Sequence, residues 1–222
     1  MNTRQTKERI LDRLKNAPRS SNSSPQNGAY LPWGSDPNLT PDDYTERFIG
    51  MMTANHTDVK ITTRASLVAT LRQTVEEYQL NNVAIGTAGE YIEAFHDATS
   101  QIQVTEFSDK IEEWKSELFD QIDAGITHTF GGIADTGALI LWPTEHEPRT
   151  LSLIPPCHIA VIKKSALFAN FPQAMAKGEW SHYMPTNALL ISGPSKTADI
   201  QQTLAYGAHG PSQLIVIFLE DE

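Results

Sequence analysis

Apolar positions from about residue 60 onward follow a helical spacing in some segments and a strand spacing in others. Over residues 64–78 they recur every three or four positions, which predicts an amphipathic helix. Residues 83–86 form a short apolar run and residues 102–107 alternate, and both patterns are typical of strands. Thr87, with Glu90 three residues later, predicts a capping box that starts another helix. This alternation predicts a mainly parallel sheet covered by helices.

The second half of the chain has a different pattern. Four strand-like runs follow one another with little helix between them, at residues 125–130, 138–142, 150–154 and 159–162. Parallel neighbours need long crossovers, so some of these strands are expected to be antiparallel. Three further segments are predicted: a helix over 167–176, a strand over 188–191, and a helix over 196–206 that Gly207 ends. A buried strand is predicted at 214–219 and a helix over 108–122, with Ser108 as its cap.

The first 59 residues are predicted to form an N-terminal helical extension and linker, and residues 60–222 an α/β domain. A helical pattern covers residues 4–14, and a stretch rich in proline, serine and asparagine follows over 17–41. Tyr30, Leu31 and Trp33 interrupt this polar stretch, and they indicate either a strap that lies on the domain or a partner contact. A second short helix is predicted from Pro41 to about residue 54, because proline is favoured in a first helical turn.

Charge and composition exclude several classes of protein. The chain has 17 Lys and Arg against 27 Asp and Glu, a formal charge of −10. Such a surface disfavours nucleic acid and anionic lipid. The longest apolar run is far shorter than the roughly 20 residues of a membrane helix, and no apolar segment follows the first residues. We therefore expect a cytoplasmic protein without membrane insertion.

The cysteine and histidine content bears on metal binding. Cys157 is the one cysteine, so an intrachain disulfide or a cysteine-ligated iron–sulfur cluster held by this chain alone is excluded. The seven histidines show no spacing typical of a metal site, and no metal is expected. His158 is expected to make a structural hydrogen bond to the backbone.

The first candidate site lies in residues 192–199, between a predicted buried strand and a predicted helix. Gly193, Ser195, Lys196 and Thr197 suit an anion such as phosphate or carboxylate, because free N–H groups at a helix N-terminus attract negative charge. The spacing does not match a Walker A loop. The alternative is that Ser195 or Thr197 simply caps the helix.

A second candidate site is the glycine-rich segment over residues 131–138. Gly131 and Gly132 let the backbone approach a ligand closely, with Thr136 beside them. Asp135 is the only carboxylate there, and it is a candidate catalytic base or hydroxyl ligand. The alternative is a tight turn in which Asp135 bonds to its own backbone. The third candidate is His209, which lies between two glycines and is a candidate for acid–base catalysis. A structural hydrogen bond is the alternative role.

Residues 189–200, LLISGPSKTADI, and residues 207–211, GAHGP, resemble the signature of the lactate utilization protein C family within the LUD domain group. Residues 134–137, ADTG, and 151–159, LSLIPPCHI, resemble the same family, and the resemblance covers roughly residues 60–220. It implies a three-layer α/β/α fold with a mixed sheet of the NagB/RpiA/CoA-transferase type.

The resemblance also implies a function. The chain would be an accessory subunit of a complex that oxidises L-lactate to pyruvate, with iron–sulfur clusters in partner proteins and no cofactor held by this chain. A second hypothesis is a stand-alone enzyme or binding protein for a small anionic ligand, such as a phosphate, a carboxylate or a CoA-type molecule. That ligand would lie at residues 193–197, and Asp135 or His209 would move protons.

Overall fold

A computed structural model describes residues 12–13, 40–107, 121–183, 185–198, 204–207 and 209–222. The chain divides into two compact units, Met1–Leu31 and Pro32–Glu222, and all the helices and strands named below belong to the second. The predictions for residues 4–14, for the 17–41 linker and for the helix over 108–122 lie wholly or mostly outside the described residues. The domain boundary after residue 59 stays a prediction.

The described residues form strands and helices that are numbered here in chain order. The strands are β1 (Asp58–Thr62), β2 (Asn82–Ile85), β3 (Gln103–Glu106), β4 (Ala124–His128), β5 (Gly131–Ile133), β6 (Ala138–Leu141), β7 (Cys157–Lys163), β8 (Leu167–Phe168), β9 (Leu189–Ile191), β10 (Lys196–Ala198), β11 (Leu204–Tyr206) and β12 (Gln213–Leu219). The α-helices are α1 (Pro41–Ala54), α2 (Leu67–Glu77), α3 (Ile92–Thr99), α4 (Thr150–Leu153), α5 (Phe171–Lys177) and α6 (Trp180–Tyr183). Short 3₁₀ turns cover Arg64–Ser66 and Lys164–Ala166.

Six strands form a central sheet in the order β1-β12-β7-β4-β2-β3, and every neighbouring pair is parallel. A second sheet has the order β8-β5-β6-β9, in which β6 is antiparallel to both of its neighbours and β5 pairs with β8 in parallel. A separate antiparallel ribbon joins β10 and β11. The predicted antiparallel pairing in the second half of the chain is therefore confirmed, and it is confined to the smaller sheets.

Alternate residues of the central strands face two different layers, as the period of two in a strand requires. On β7, Cys157, Ile159 and Val161 belong to a core cluster that contains α2 and α3 residues. The intervening Ala160 and Ile162 belong to a cluster with α1 and the second sheet. A sheet buried on both faces has continuous apolar strands, which explains the apolar run at 214–219. The arrangement confirms the predicted α/β class and its three layers.

Helix α1 confirms the short helix predicted from Pro41 to about residue 54. The Thr40 hydroxyl accepts a hydrogen bond from the Asp43 N–H at 3.3 Å, and the Asp43 carboxylate accepts one from the Thr40 N–H at 2.7 Å. This capping box satisfies donors that a helix N-terminus leaves unpaired. Phe48 and Met52 of the helix are fully buried in the cluster against the central sheet.

Two predicted elements are wrong because of residues within or next to them in the sequence. The segment over 150–154, predicted as a strand, contains the helical turn α4 (Thr150–Leu153), and prolines at 148, 155 and 156 flank it. Proline lacks the N–H that a strand ladder needs. The predicted helix over 167–176 is strand β8 followed by α5. Asn170 caps α5 by accepting a hydrogen bond from the Gln173 N–H at 3.0 Å, so the helix begins after it.

Two further predictions fail because side chains and strands have distant partners. Helix α3 begins at Ile92, not at Thr87, since the Thr87 hydroxyl contacts His146 Nδ1 at 3.1 Å and the Glu90 carboxylate binds Lys163. The predicted helix over 196–206 is wrong as well. The described ends of that segment pair with each other as β10 and β11. Within the residues that the structure describes, no helix combines the length and apolar character that crossing a bilayer demands.

Candidate functional site

Two cavities lie at opposite ends of the central sheet. The larger, about 550 Å³, includes His128, the last residue of β4. The smaller, about 260 Å³, includes His158 and Leu214, which are near the first residues of β7 and β12. Because these strands run in parallel, the first is called here the carboxyl-end cavity and the second the amino-end cavity.

The carboxyl-end cavity is built around a histidine–glutamate pair. His128 Nδ1 lies 2.6 Å from Glu147 Oε2, and the His128 backbone N–H donates to Glu147 Oε1 at 3.0 Å. The Tyr91 N–H donates to His128 Nε2 at 2.9 Å, so the ring proton must be on Nδ1. Both ring nitrogens are therefore engaged, and the pair fixes the position of the Glu147 carboxylate rather than offering a free imidazole base.

Aromatic rings also line the carboxyl-end cavity. Phe130 stacks on Trp142 with ring centroids 4.4 Å apart, and the exposed Tyr183 is at the rim. Gly89 also lines this cavity, and a Cβ at that position would overlap the His128 ring. Ligands in open parallel sheets commonly bind outside the carboxyl ends of the strands. An apolar wall with a few polar groups is typical of a small-molecule site.

The amino-end cavity brings together three of the residues predicted from sequence: Gly193, Ser195 and His209. They come from two loops that the backbone joins, because the Ser195 N–H donates to the Pro211 carbonyl at 2.8 Å and the Gly207 N–H donates to the Ser195 carbonyl at 3.0 Å. The second glycine of this region, Gly210, lines the same cavity. The loops therefore meet, and the described ends of the helix predicted between them are strands β10 and β11.

His158 forms part of the wall of the amino-end cavity and is completely buried. Its Nε2 lies 2.8 Å from the Thr127 hydroxyl, so the predicted backbone hydrogen bond is replaced by one to a side chain. Its Nδ1 has no hydrogen-bond partner among the described residues. Burial lowers the pKa of this imidazole to about 3, because the charged form cannot be solvated there.

The other predicted residues lie outside both cavity walls. Asp135 is in the turn between β5 and β6, where it forms an ion pair with Arg47 at 3.2 Å, and Thr136 follows it in that turn. Gly131 and Gly132 are buried in β5, and a Cβ on Gly132 would lie 2.8 Å from Ile162 Cδ1. Close packing thus explains the glycines. Lys196 is exposed on β10, and Thr197 follows it on that strand.

These placements leave the catalytic roles of Asp135 and His209 as predictions. Of these two residues, His209 lines the amino-end cavity and Asp135 lines neither cavity. His128, His146 and Glu147, which the fold brings to one cavity, were not among the predicted site residues. The position of His128 in the second half of the predicted strand over 125–130 was the one available signal for it. Within the described ranges, no three His, Cys, Asp or Glu side chains converge in a group that could hold a metal ion.

Comparisons with known proteins address the family. The model of the LUD domain matches residues 45–219. An uncharacterized protein of Neisseria meningitidis serogroup B is 38% identical over 220 residues, which cover 95% of this chain and 92% of that protein. Lactate utilization protein C of Halalkalibacterium halodurans is 32% identical over 171 residues, 75% of this chain and 74% of that protein. The protein of the same name from Macrococcus caseolyticus is 29% identical over 194 residues, 83% of this chain and 81% of that protein.

A solved structure supports the fold. The crystal structure of a DUF162 family protein from Deinococcus radiodurans aligns with a TM-score of 0.61 at 21% identity, covering 82% of this chain and 99% of that chain. At this identity the similarity concerns the fold alone. The family resemblance found in the sequence is confirmed by the domain match and by the named relatives. The chain belongs to the LUD domain family, and lactate utilization protein C from several bacteria is among its relatives.

Proposed function

We propose that this chain takes part in lactate utilization, as a cytoplasmic accessory subunit of an iron–sulfur complex that oxidises L-lactate to pyruvate. One observation carries the proposal: relatives named lactate utilization protein C match three quarters or more of this chain at 29–32% identity. The match extends over a similar share of those proteins, so it concerns the whole domain rather than a short motif.

The accessory role follows from the chemistry of the reaction. Conversion of L-lactate to pyruvate removes two electrons and two protons, so the complex needs an electron acceptor. A cluster ligated by four cysteines does not fit this chain, which has one. The thiol of Cys157 is buried, and burial raises its pKa to about 12, so the thiolate that binds iron is disfavoured. We therefore assign the clusters to partner proteins.

A gene deletion tests the proposal. Cells that lack this chain should fail to grow on L-lactate as sole carbon source and should grow normally on pyruvate. A plasmid copy of the chain should restore growth on L-lactate, and the tagged chain should co-purify with proteins that carry iron–sulfur clusters. L-lactate dehydrogenating activity that survives the deletion unchanged would contradict the proposal, since an accessory subunit of the responsible complex cannot be dispensable.

A further inference from the structure

The amino-end cavity has the composition of a binding site for a small polar molecule. Its volume of about 260 Å³ is below the roughly 300–1,000 Å³ typical of pockets for drug-sized ligands. The side chains that line it include three serines and two histidines, and none of the described lining residues carries a carboxylate. A negatively charged ligand would therefore meet no repelling negative charge among the described lining residues, although the chain as a whole is acidic.

Several residues that line this cavity carry hydrogen-bond donors. Among the described residues, none accepts a hydrogen bond from the hydroxyl groups of Ser192 and Ser195 or from the N–H groups of Gly193 and Gly210. The pairing of Ser195 with the Pro211 carbonyl holds the two loops side by side. Several donors held by backbone in this way suit the two oxygens of a carboxylate, because hydrogen bonds to a charged acceptor are the stronger ones.

His158, one of the residues that line the cavity, has a buried nitrogen that no described residue bonds. His158 is fully buried and lines the cavity, and its Nε2 is engaged by Thr127 while its Nδ1 is not bonded by any described residue. A buried polar atom without a hydrogen bond is unfavourable, and an explanation is expected for each one in a native structure. A ligand oxygen that reaches Nδ1 would remove this cost.

The contact with Thr127 is compatible with both neutral tautomers of His158. Its hydroxyl can donate to His158 Nε2 or accept from it. In the first case Nδ1 carries the proton and donates to a ligand oxygen, and in the second case Nδ1 accepts from a ligand hydroxyl. A single neutral imidazole can therefore bind either a hydroxyl or a keto oxygen.

We propose that the amino-end cavity binds a small 2-hydroxy or 2-oxo carboxylate. The serine hydroxyls and the N–H groups of Gly193 and Gly210 bind its carboxylate, and His158 Nδ1 bonds to the oxygen on the second carbon. The choice of L-lactate and pyruvate among such acids rests on the proposed function, whereas the site itself rests on the cavity.

Calorimetric titration of the full chain with L-lactate and with pyruvate tests the site. Lactamide, which lacks the charge, and inorganic phosphate serve as ligand controls. Both carboxylates should bind, and both controls should bind at least about ten-fold more weakly. Ser195→Ala should weaken carboxylate binding about ten-fold. Ser165→Ala, at an exposed serine outside the cavity, should leave it unchanged.

NMR of the imidazole nitrogens supplies an independent readout. The Nδ1 resonance of His158 should shift when either acid binds, while that of the exposed His182 should not. Absence of binding by both acids, or binding that Ser195→Ala and the His158 resonance do not register, would overturn the inference. If neither acid binds but the deletion still abolishes growth on L-lactate, the site is wrong and the proposed function stands. If binding is found but the deletion has no phenotype, the site stands and the proposed function is wrong.

Discussion

His158 should make the folded protein sensitive to mild acid. The ring is completely buried, and burial lowers its pKa from 6.5 to about 3. In the unfolded chain the same imidazole is solvated and has an ordinary pKa. Between these two values the unfolded state binds a proton that the folded state does not bind, so acid shifts the equilibrium toward unfolding.

The size of the effect follows from the pKa difference. Stability rises with pH wherever the unfolded state binds more protons, so this contribution is fully present above pH 6.5 and is lost as the pH falls toward 3. At pH 4.5, two units below the unfolded pKa, the loss amounts to about 3 kcal/mol, because each pKa unit corresponds to about 1.4 kcal/mol. That is a large share of the roughly 5–15 kcal/mol by which domains are stable.

Urea denaturation between pH 7.5 and pH 4.5 measures this contribution. His158→Gln keeps a polar side chain but has no proton to gain in this range. The variant is expected to be less stable than the wild type at pH 7.5 and to lose about 3 kcal/mol less on acidification. His182→Gln, at an exposed histidine, should follow the wild type. Parallel losses in the wild type and His158→Gln, or an NMR titration of the His158 ring between pH 5 and 7, would refute this reasoning.

Three further expectations concern packing and reactivity. Gly125→Ala should cost about 2–3 kcal/mol in chemical denaturation, because a Cβ there would overlap the Leu151 carbonyl oxygen. The control Gly50→Ala, in the middle of α1 with open space around it, should stabilise the fold by about 0.5–1 kcal/mol, and equal effects would contradict the packing argument. Phe95→Ala should cost about 3–5 kcal/mol, since the ring is fully buried, and a loss below 1 kcal/mol would be unexpected. Iodoacetamide at pH 8 should label Cys157 only after unfolding, because burial raises its pKa to about 12, and rapid labelling of the native protein would contradict this.

The central sheet could be predicted because its strands are buried on both faces. Residues 83–86, 159–162 and 214–219 are apolar without interruption, and each lies in or largely overlaps a strand of the parallel sheet. The surrounding helices have periodic apolar faces that local pattern also reveals. Both signals reside within a few consecutive residues, so no knowledge of distant contacts is needed to read them.

The secondary-structure predictions that failed concern residues whose contacts are distant in the sequence. Thr87 and Glu90 have the spacing of a capping box, but His146 and Lys163 engage their side chains instead. Leu151 continues an apolar run of the kind that forms strands, yet it is fully buried in a helical turn beside Ala84 and Ile122. Local propensity is a weak prior, and tertiary contacts of this kind override it.

For the same reason, only part of the candidate site could be predicted from the sequence. Gly193, Ser195 and His209 have the chemistry of an anion site and do line one cavity, but the orphaned Nδ1 of His158 depends on strand pairing that sequence does not reveal. Glu147 contacts His128 from a turn in which the Glu147 N–H donates to the Thr144 hydroxyl. The sequence around either residue gives no signal of that pairing.

A strand, β10, lies where a helix start was predicted, and this changes what must attract an anion at the amino-end cavity. A helix N-terminus contributes the summed dipole of its peptide units, which acts on a ligand without any particular side chain. Here β10 follows Ser195 directly, so the attraction has to come from single hydroxyl and N–H donors, each effective only at hydrogen-bond distance. Removal of one hydroxyl therefore matters more than it would at a helix terminus. Affinity should depend on the fit of the ligand oxygens rather than on charge alone, which is why phosphate, more highly charged than lactate, is expected to bind less well.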